Sequence, residues 1–242
     1  ASDFVLDVLC RDPAALLATL QSLFAARPAP VGVTMIGYGN TTGLGSIDAR
    51  IVDEITDPAP GADIVASEKL VRLPGCFLCY RPPEDGGCGP RDPEPGRAFT
   101  FGSFNDLRKL SPSNLRLWAR ILDENPGTRL VLKTSRLAHA AVRAELAERL
   151  GELGVDPGRV DMLGRTATAA EHLDLYNTID CALDTFPYTG TTTTCEALWM
   201  GVPTVTLMGG AHAGRVSGSL LTAVGRGDLV AADQEGYAAL AG

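Results

Sequence analysis

The stretch Cys181–Leu207, CALDTFPYTGTTTTCEALWMGVPTVTL, contains a complete structural unit. Cys181 to Asp184 is a short, mostly apolar run that reads as a strand. Pro187 and Gly190 mark a loop. Thr192 to Met200 reads as a helix, and Pro203 to Leu207 as a second strand rich in β-branched residues. Strand, helix and strand in that order form a βαβ unit, the building block of a parallel sheet.

The same alternation extends outward in both directions. Upstream, strands are predicted at Ala98–Phe104, Arg129–Lys133 and Val160–Leu163. Between them lie helices from Ser111-Pro112 to about Asp123, from Ala138 to Leu153, and from Ala169 to Asn177. Ser111 suits an N-cap and Pro112 a first helical position. Downstream come a helix over Ala213–Val224 and a short strand at Leu229-Val230. Six short apolar strands alternating with helices predict an α/β fold with a doubly wound, Rossmann-like parallel sheet over 98–242.

Arg81–Arg97, RPPEDGGCGPRDPEPGR, is rich in Pro, Gly and charge and reads as a linker. The segment before it, 1–80, is predicted to be part of a second Rossmann-like domain. Its expected elements are a helix at Pro13–Ala26 and strands near Phe4–Leu9, Val31–Ile36, Ala49–Val52 and Cys76–Tyr80. The whole sequence has 242 residues, 45% of them hydrophobic and 21% charged, which excludes a disordered chain or a coiled coil. Its formal net charge of −8 argues against nucleic acid and anionic membranes as bulk partners. The longest apolar stretch, Ala197–Met208, is broken by Gly201 and Pro203 and is too short to span a bilayer. The first residue is Ala and no secretory signal follows, so a cytoplasmic protein, cut from a longer chain, is expected. Cys76-x-x-Cys79 followed by Cys88 raises a zinc site, but a fourth ligand is not evident. Thiols in a reducing cytoplasm are the reading taken, with no metal and no cofactor expected.

The chemistry concentrates at Asp184–Val202. A helix starting near Thr192 offers unpaired backbone N–H groups and the positive end of its dipole. Gly190 allows close approach to the backbone, and Thr191 to Thr194 add hydroxyls. That combination suits a diphosphate. Glu196 is expected just inside the first turn, where it could accept from ribose hydroxyls. The plainer alternative is a Thr N-cap followed by an acid favoured by the dipole. A second candidate segment is Phe101–Lys109, FGSFNDLRK, where a strand leads through Asn105 to Lys109. Ligands of open α/β sheets sit at carboxyl ends of strands, so Lys109 is placed to reach a phosphate, or is simply a surface lysine. His172, near a helix start, could stack on a base or be partly buried. Gly37-Tyr38-Gly39 is a partial dinucleotide fingerprint, but Thr42 stands at its last glycine position.

Six segments taken together resemble glycosyltransferase family 41, the protein O-linked N-acetylglucosamine transferases and SPINDLY-type enzymes. They are Ala26–Gly43 (ARPAPVGVTMIGYGNTTG), Ser67–Phe77 (SEKLVRLPGCF), Phe101–Pro112 (FGSFNDLRKLSP), Ala170–Tyr176 (AEHLDLY), Leu183–Leu207 and Gly214–Gly225 (GRVSGSLLTAVG). The resemblance implies a GT-B architecture of two Rossmann-like domains. It also implies inverting, metal-independent transfer from a nucleotide sugar, most simply UDP-N-acetylglucosamine, to protein Ser or Thr hydroxyls. By the same resemblance, Lys109 contacts the donor diphosphate and is catalytic. Thr191, Thr192 and Thr193 lie over the phosphates, His172 stacks on the base, and Glu196 binds the ribose. The loop containing Tyr38 lines the cleft, and Asn105 belongs to the donor site. Tetratricopeptide repeats are expected in the parent chain. One departure is Ala169, where the family carries a ribose-contacting lysine. A UDP-sugar-binding module without turnover, a GT-B-shaped epimerase and a nicotinamide oxidoreductase are the alternatives.

Overall fold

The computed structural model describes residues 22–36, 39–84 and 96–242. The chain forms two compact units, divided between Phe77 and Leu78. Each is built on a parallel sheet.

In the second unit the strands are β4 (Thr100–Ser103), β5 (Arg129–Lys133), β6 (Val160–Leu163), β7 (Cys181–Leu183), β8 (Thr204–Leu207) and β9 (Val230–Ala231). They lie in the order β6-β5-β4-β7-β8-β9, and every pairing is parallel. Numbered within the unit, that order is 3-2-1-4-5-6, the doubly wound arrangement predicted from the alternation of elements. Its direction reverses between β4 and β7. Loops leaving the carboxyl ends of those two strands therefore diverge and leave a crevice between them.

The helices follow from local chemistry. Helix α2 (Pro112–Glu124) starts with a capping box: the Asn114 N–H donates to Ser111 Oγ at 3.2 Å, and the Ser111 N–H donates to Asn114 Oδ1 at 2.9 Å. Helices α3 (Ala140–Glu152), α4 (Ala169–Asp174), α5 (Thr192–Trp199), α6 (Val216–Ala223) and α7 (Gln234–Ala241) complete the unit. The predicted helix over 169–177 tightens into a 3-10 turn at Leu175–Thr178, and that over 213–224 begins with a separate 3-10 turn at His212–Gly214.

Alternation along each strand sends side chains to opposite faces of the sheet. On β5, Leu130 and Leu132 join the larger core with Phe101, Trp118, Leu183, Val205 and Tyr237. Val131 faces the other way and packs with Phe104, Leu173, Tyr176, Ile179, Ala197 and Met200, beneath α4 and α5. Lys133, two residues on from Val131, shares that second face.

The first unit has β1 (Val33–Thr34), β2 (Ala49–Asp53) and β3 (Lys69–Leu73) in sequential parallel order, with a short helix α1 (Gly61–Val65). Here the sequence reading needs correction. Cys76–Tyr80 is not a strand; the third strand is Lys69–Leu73, paired residue for residue with β2. Charges at Lys69 and Arg72 disguise KLVRL as a surface segment. Arg72 is nonetheless held, its Nε donating to the Asp57 carbonyl at 2.6 Å and its guanidinium pairing with Asp63 at 2.7 Å. Beyond β3, Gly75 takes φ +78°, a left-handed turn that glycine adopts without strain. The chain then returns to β2, where the Phe77 N–H donates to buried Asp53 at 3.1 Å. Helix α1 was not predicted. Of the helix expected at 13–26, residues 22–25 are described and are helical. The strand expected at Phe4–Leu9 and Cys88 lie outside the described residues, as does most of the 81–97 linker.

Helix α7 is tied to the carboxyl edge of the sheet at one buried point. Tyr237 is fully buried, and its hydroxyl donates to the Asp184 carbonyl at 2.9 Å. Tyr237→Phe should lower stability by about 1 kcal/mol through that lost bond. Both tryptophans lie in the second unit, so the intrinsic fluorescence midpoint in urea reports it directly. An unshifted midpoint would contradict the assignment.

Candidate nucleotide-sugar site

The crevice between β4 and β7 is organised around Asp184, the first residue after β7. Its side chain is fully sequestered. Oδ1 accepts from the Thr185 N–H at 2.9 Å, the Gly190 N–H at 2.7 Å and Asn105 Nδ2 at 3.1 Å. Oδ2 accepts from Thr206 Oγ1 at 2.6 Å. Burial pushes the Asp184 carboxyl above the usual range, and the hydrogen bonds from Thr206, Ser217, Gly190 and Thr185 pull it back. These bonds fold 185–190 into a tight loop. A Cβ on Gly190 would stand 2.4 Å from Thr194 Oγ1 and 2.8 Å from Thr193 Oγ1, so no side chain fits there.

The four threonines divide their tasks. Thr194 is buried, with its hydroxyl 2.8 Å from that of Ser217. Thr193 Oγ1 donates to Asn105 Oδ1 at 2.9 Å, bridging the β4 and β7 loops. Thr191 occupies the N-cap position of α5 but makes no side-chain cap bond. The Cys195 N–H, bonded to the Thr191 carbonyl at 3.1 Å, is the first to find an acceptor within the helix. The N–H groups of Thr192, Thr193 and Thr194 thus have no helical acceptor, as the first turn of any helix dictates. Neither the Thr191 nor the Thr192 hydroxyl has a hydrogen-bond partner among the described residues. A concentration of donors at the positive end of a helix suits an anion.

Lys109 comes to the same place from the other loop. It ends a 3-10 turn, Leu107–Lys109, whose cap is Asp106. Its Nζ donates to the Thr189 carbonyl at 2.8 Å and lies 4.1 Å from the centroid of the Tyr188 ring. Half-buried, it is not a freely solvated surface lysine. Desolvation lowers its pKa below the ordinary lysine value, while Asp184 and Asp106 oppose the shift.

One turn along α5, Glu196 faces α4. It lies beyond the first turn, which holds no acid, and so departs from the expected position. Its Oε2 accepts from His172 Nε2 at 2.9 Å, and the Tyr176 hydroxyl is 3.1 Å from the same oxygen. His172 packs obliquely on Phe104 and edge-on to Tyr176, with ring centroids 6.0 and 5.7 Å away. On its far side, His172 Nδ1 lies 2.5 Å from Lys133 Nζ. Lys133, Tyr176 and Asp184 were not singled out in the sequence. A lysine closing the apolar strand RLVLK at its carboxyl end was the available signal. Tyr38 lies outside the described residues. In the first unit, the neighbouring loop is held by Glu68, which accepts from Thr41 Oγ1 at 2.8 Å and from the Thr42 N–H at 2.5 Å.

Residues 92–242 match the family model described as Glycosyl transferase family 41. The chain belongs to glycosyltransferase family 41. Among family 41 relatives, it is 49% identical over 217 residues to an Arabidopsis thaliana protein named probable UDP-N-acetylglucosamine--peptide N-acetylglucosaminyltransferase SPINDLY. That alignment covers 89% of this chain and 24% of the relative. The SEC protein of the same plant, named for the same activity, is 32% identical over 94% of this chain and 24% of its own length. Among solved structures, a mutant of the Thermobaculum terrenum O-GlcNAc transferase superposes with a TM-score of 0.84 at 42% identity. It matches 90% of this chain and 41% of that one. The chain spans about a quarter of the length of the curated relatives it matches.

Among the described residues, no group of three or more His, Cys, Asp or Glu could hold a metal ion. Nor is any described helix long and apolar enough to cross a membrane. Cys76 is half-buried and Cys79 exposed.

The lowered pKa of Lys109 fixes the sign of a pH effect. Raising the pH through that value discharges the amine in the free protein, whereas a bound anion favours the ammonium. Affinity for inorganic pyrophosphate should therefore fall with rising pH before an ordinary lysine would titrate, by up to about tenfold per pH unit. Calorimetry across that range should show the fall in the parent chain and its loss in Lys109→Ala. A parent profile flat through the lysine range would remove Lys109 from the anion site.

Proposed function

We propose that this chain carries the donor site of a glycosyltransferase that moves a sugar from a nucleotide diphosphate to protein hydroxyls. The donor proposed is UDP-N-acetylglucosamine, and the acceptors are Ser and Thr of a protein or peptide, with inversion at the sugar carbon. The observation that carries the reading is convergence at one switch point. Lys109 and the open N–H groups of α5 lie where the β4 and β7 loops part, and Glu196, bonded to His172, lies about one turn further along α5. The printed names of the relatives support the choice of donor and acceptor class.

Breaking the sugar–phosphate bond leaves negative charge on the departing diphosphate. In this reading, Lys109 and the helix N–H groups receive that charge from fixed positions, with no metal required. Their dipoles need no reorganisation as the bond breaks, which makes such groups worth far more than in water. Gly190, lacking a Cβ, leaves room for the Thr193 and Thr194 hydroxyls and lets the β7 loop close against the start of α5. Thr193 and Asn105 lock the two loops at the spacing the diphosphate needs. His172 offers a ring to the base, and Glu196 an acceptor to the sugar of the nucleoside. A cytoplasmic setting and a parent chain with tetratricopeptide repeats belong to the same proposal.

Lys109→Ala should lower the transfer rate roughly a hundredfold, the usual effect of removing one fixed donor from a developing charge. Donor affinity should change far less. Single-turnover transfer to peptide from radiolabelled UDP-N-acetylglucosamine, beside equilibrium UDP binding, separates the two effects. Equal losses in rate and affinity would make Lys109 a binding group only. Binding by the parent chain without turnover would reduce the reading to a donor-binding module, and an altered free sugar would point to an epimerase.

A further inference from the structure

Lys133, His172 and Glu196 form a polar row that runs from the carboxyl end of β5, across α4, to the second turn of α5. Lys133 is 9% exposed, and its Nζ is 2.5 Å from His172 Nδ1. His172 Nε2 is 2.9 Å from Glu196 Oε2. An ammonium has three hydrogens to give and no lone pair, so its partner must accept. With Lys133 donating at Nδ1, the ring hydrogen sits on Nε2, where the Glu196 carboxylate accepts it. The Tyr176 hydroxyl is 3.1 Å from the same Glu196 oxygen and 3.1 Å from the Thr193 carbonyl, between which it shares its one hydrogen. Glu196 Oε1 has no hydrogen-bond partner among the described residues, and the Glu196 side chain is 14% exposed.

Placement along the helix gives the row its direction. Glu196 lies two to four residues beyond the open N–H groups, so its backbone is about 3–6 Å further along the α5 axis. A ligand with its phosphates on those N–H groups would carry its nucleoside toward Glu196 Oε1. That oxygen is an acceptor and suits a hydroxyl-bearing sugar.

We propose that Lys133 is a positioning residue for nucleoside recognition. Its ammonium fixes His172 in the Nε2–H tautomer, and that ring holds Glu196 with Oε1 turned to the ligand. Lys133 itself acts through His172. The proposal rests on the nucleotide-sugar reading of the site. It predicts a division: the Lys133 row selects the nucleoside, and the α5 start with Lys109 holds the phosphates.

The test uses the whole chain and two probes, inorganic pyrophosphate and UDP. The chain has three histidines, His139, His172 and His212, so the loss of one imidazole signal in His172→Gln assigns that ring by nitrogen-15 NMR. In the parent chain the His172 spectrum should show the Nε2–H tautomer. Lys133→Met should lose that fixed tautomer and weaken UDP binding at least tenfold by calorimetry, with pyrophosphate binding changed less than twofold. Lys133→Gln, which keeps an N–H donor, should restore the tautomer and most of the UDP affinity. A parent spectrum showing Nδ1–H or the doubly protonated ring would overturn the proposal, even if neither variant folds. So would unchanged UDP affinity in Lys133→Met, or an equal loss for both probes. If the parent chain binds neither probe, the nucleotide-sugar reading fails instead, and the tautomer measurement stands apart from that result.

Discussion

A carboxylate buried beyond reach of water is the constraint on which the second unit depends. Left without partners, ionised Asp184 would cost several kcal/mol in lost solvation. The fold answers by aiming donors at it from several elements: the loop after β7, the loop after β4, and β8. Its carbonyl accepts from α7 as well. Each bond shapes something that the site uses. The Gly190 bond sets the approach to α5, and the Asn105 bond draws the β4 loop toward the β7 loop. One charge thereby orients a ring of neutral groups, while its own oxygens face inward.

The helix start shows how structural and ligand-facing tasks can share a repeated residue. Thr194 and Thr193 are occupied, one within the core and one across the crevice. Thr191 and Thr192 keep their hydroxyls. A single threonine cap would bond its own helix and use up the donors that an anion needs. Here the cap position is filled, but the cap bond is not made. The first turn is left electropositive and open.

Much of the second unit was legible because parallel strands covered on both faces are continuous apolar runs. Arg129–Lys133 and Val160–Leu163 were bounded to the residue. In the first unit, β3 carries two charged residues, Lys69 and Arg72, and the partners of Arg72, Asp57 and Asp63, lie elsewhere in the chain. Composition therefore pointed instead to the apolar Cys76–Tyr80. The loop proposed to take the diphosphate stood out because Gly, Thr and a helix start fall together in sequence. The Lys133 row was not, because its three members are 39 and 24 residues apart and meet only through the sheet register and the packing of α4 on α5. Asp184 looked like a strand end; its role depends on partners 79 residues upstream and 22 downstream.

The bonds that close the crevice also have a kinetic meaning. Asn105 to Asp184, Lys109 to Thr189 and Thr193 to Asn105 join residues separated by 79, 80 and 88 positions. None can form until β7 has come to lie beside β4, the one adjacency in this sheet that skips over two intervening strands. Closing so long a loop is the slow, entropically costly event in assembling a sheet of this order. The geometry of the crevice therefore depends on the sheet having formed in this order. A chain whose half-sheets have paired wrongly has no crevice to offer. A ligand seated there would draw the population toward the one strand order that creates its site.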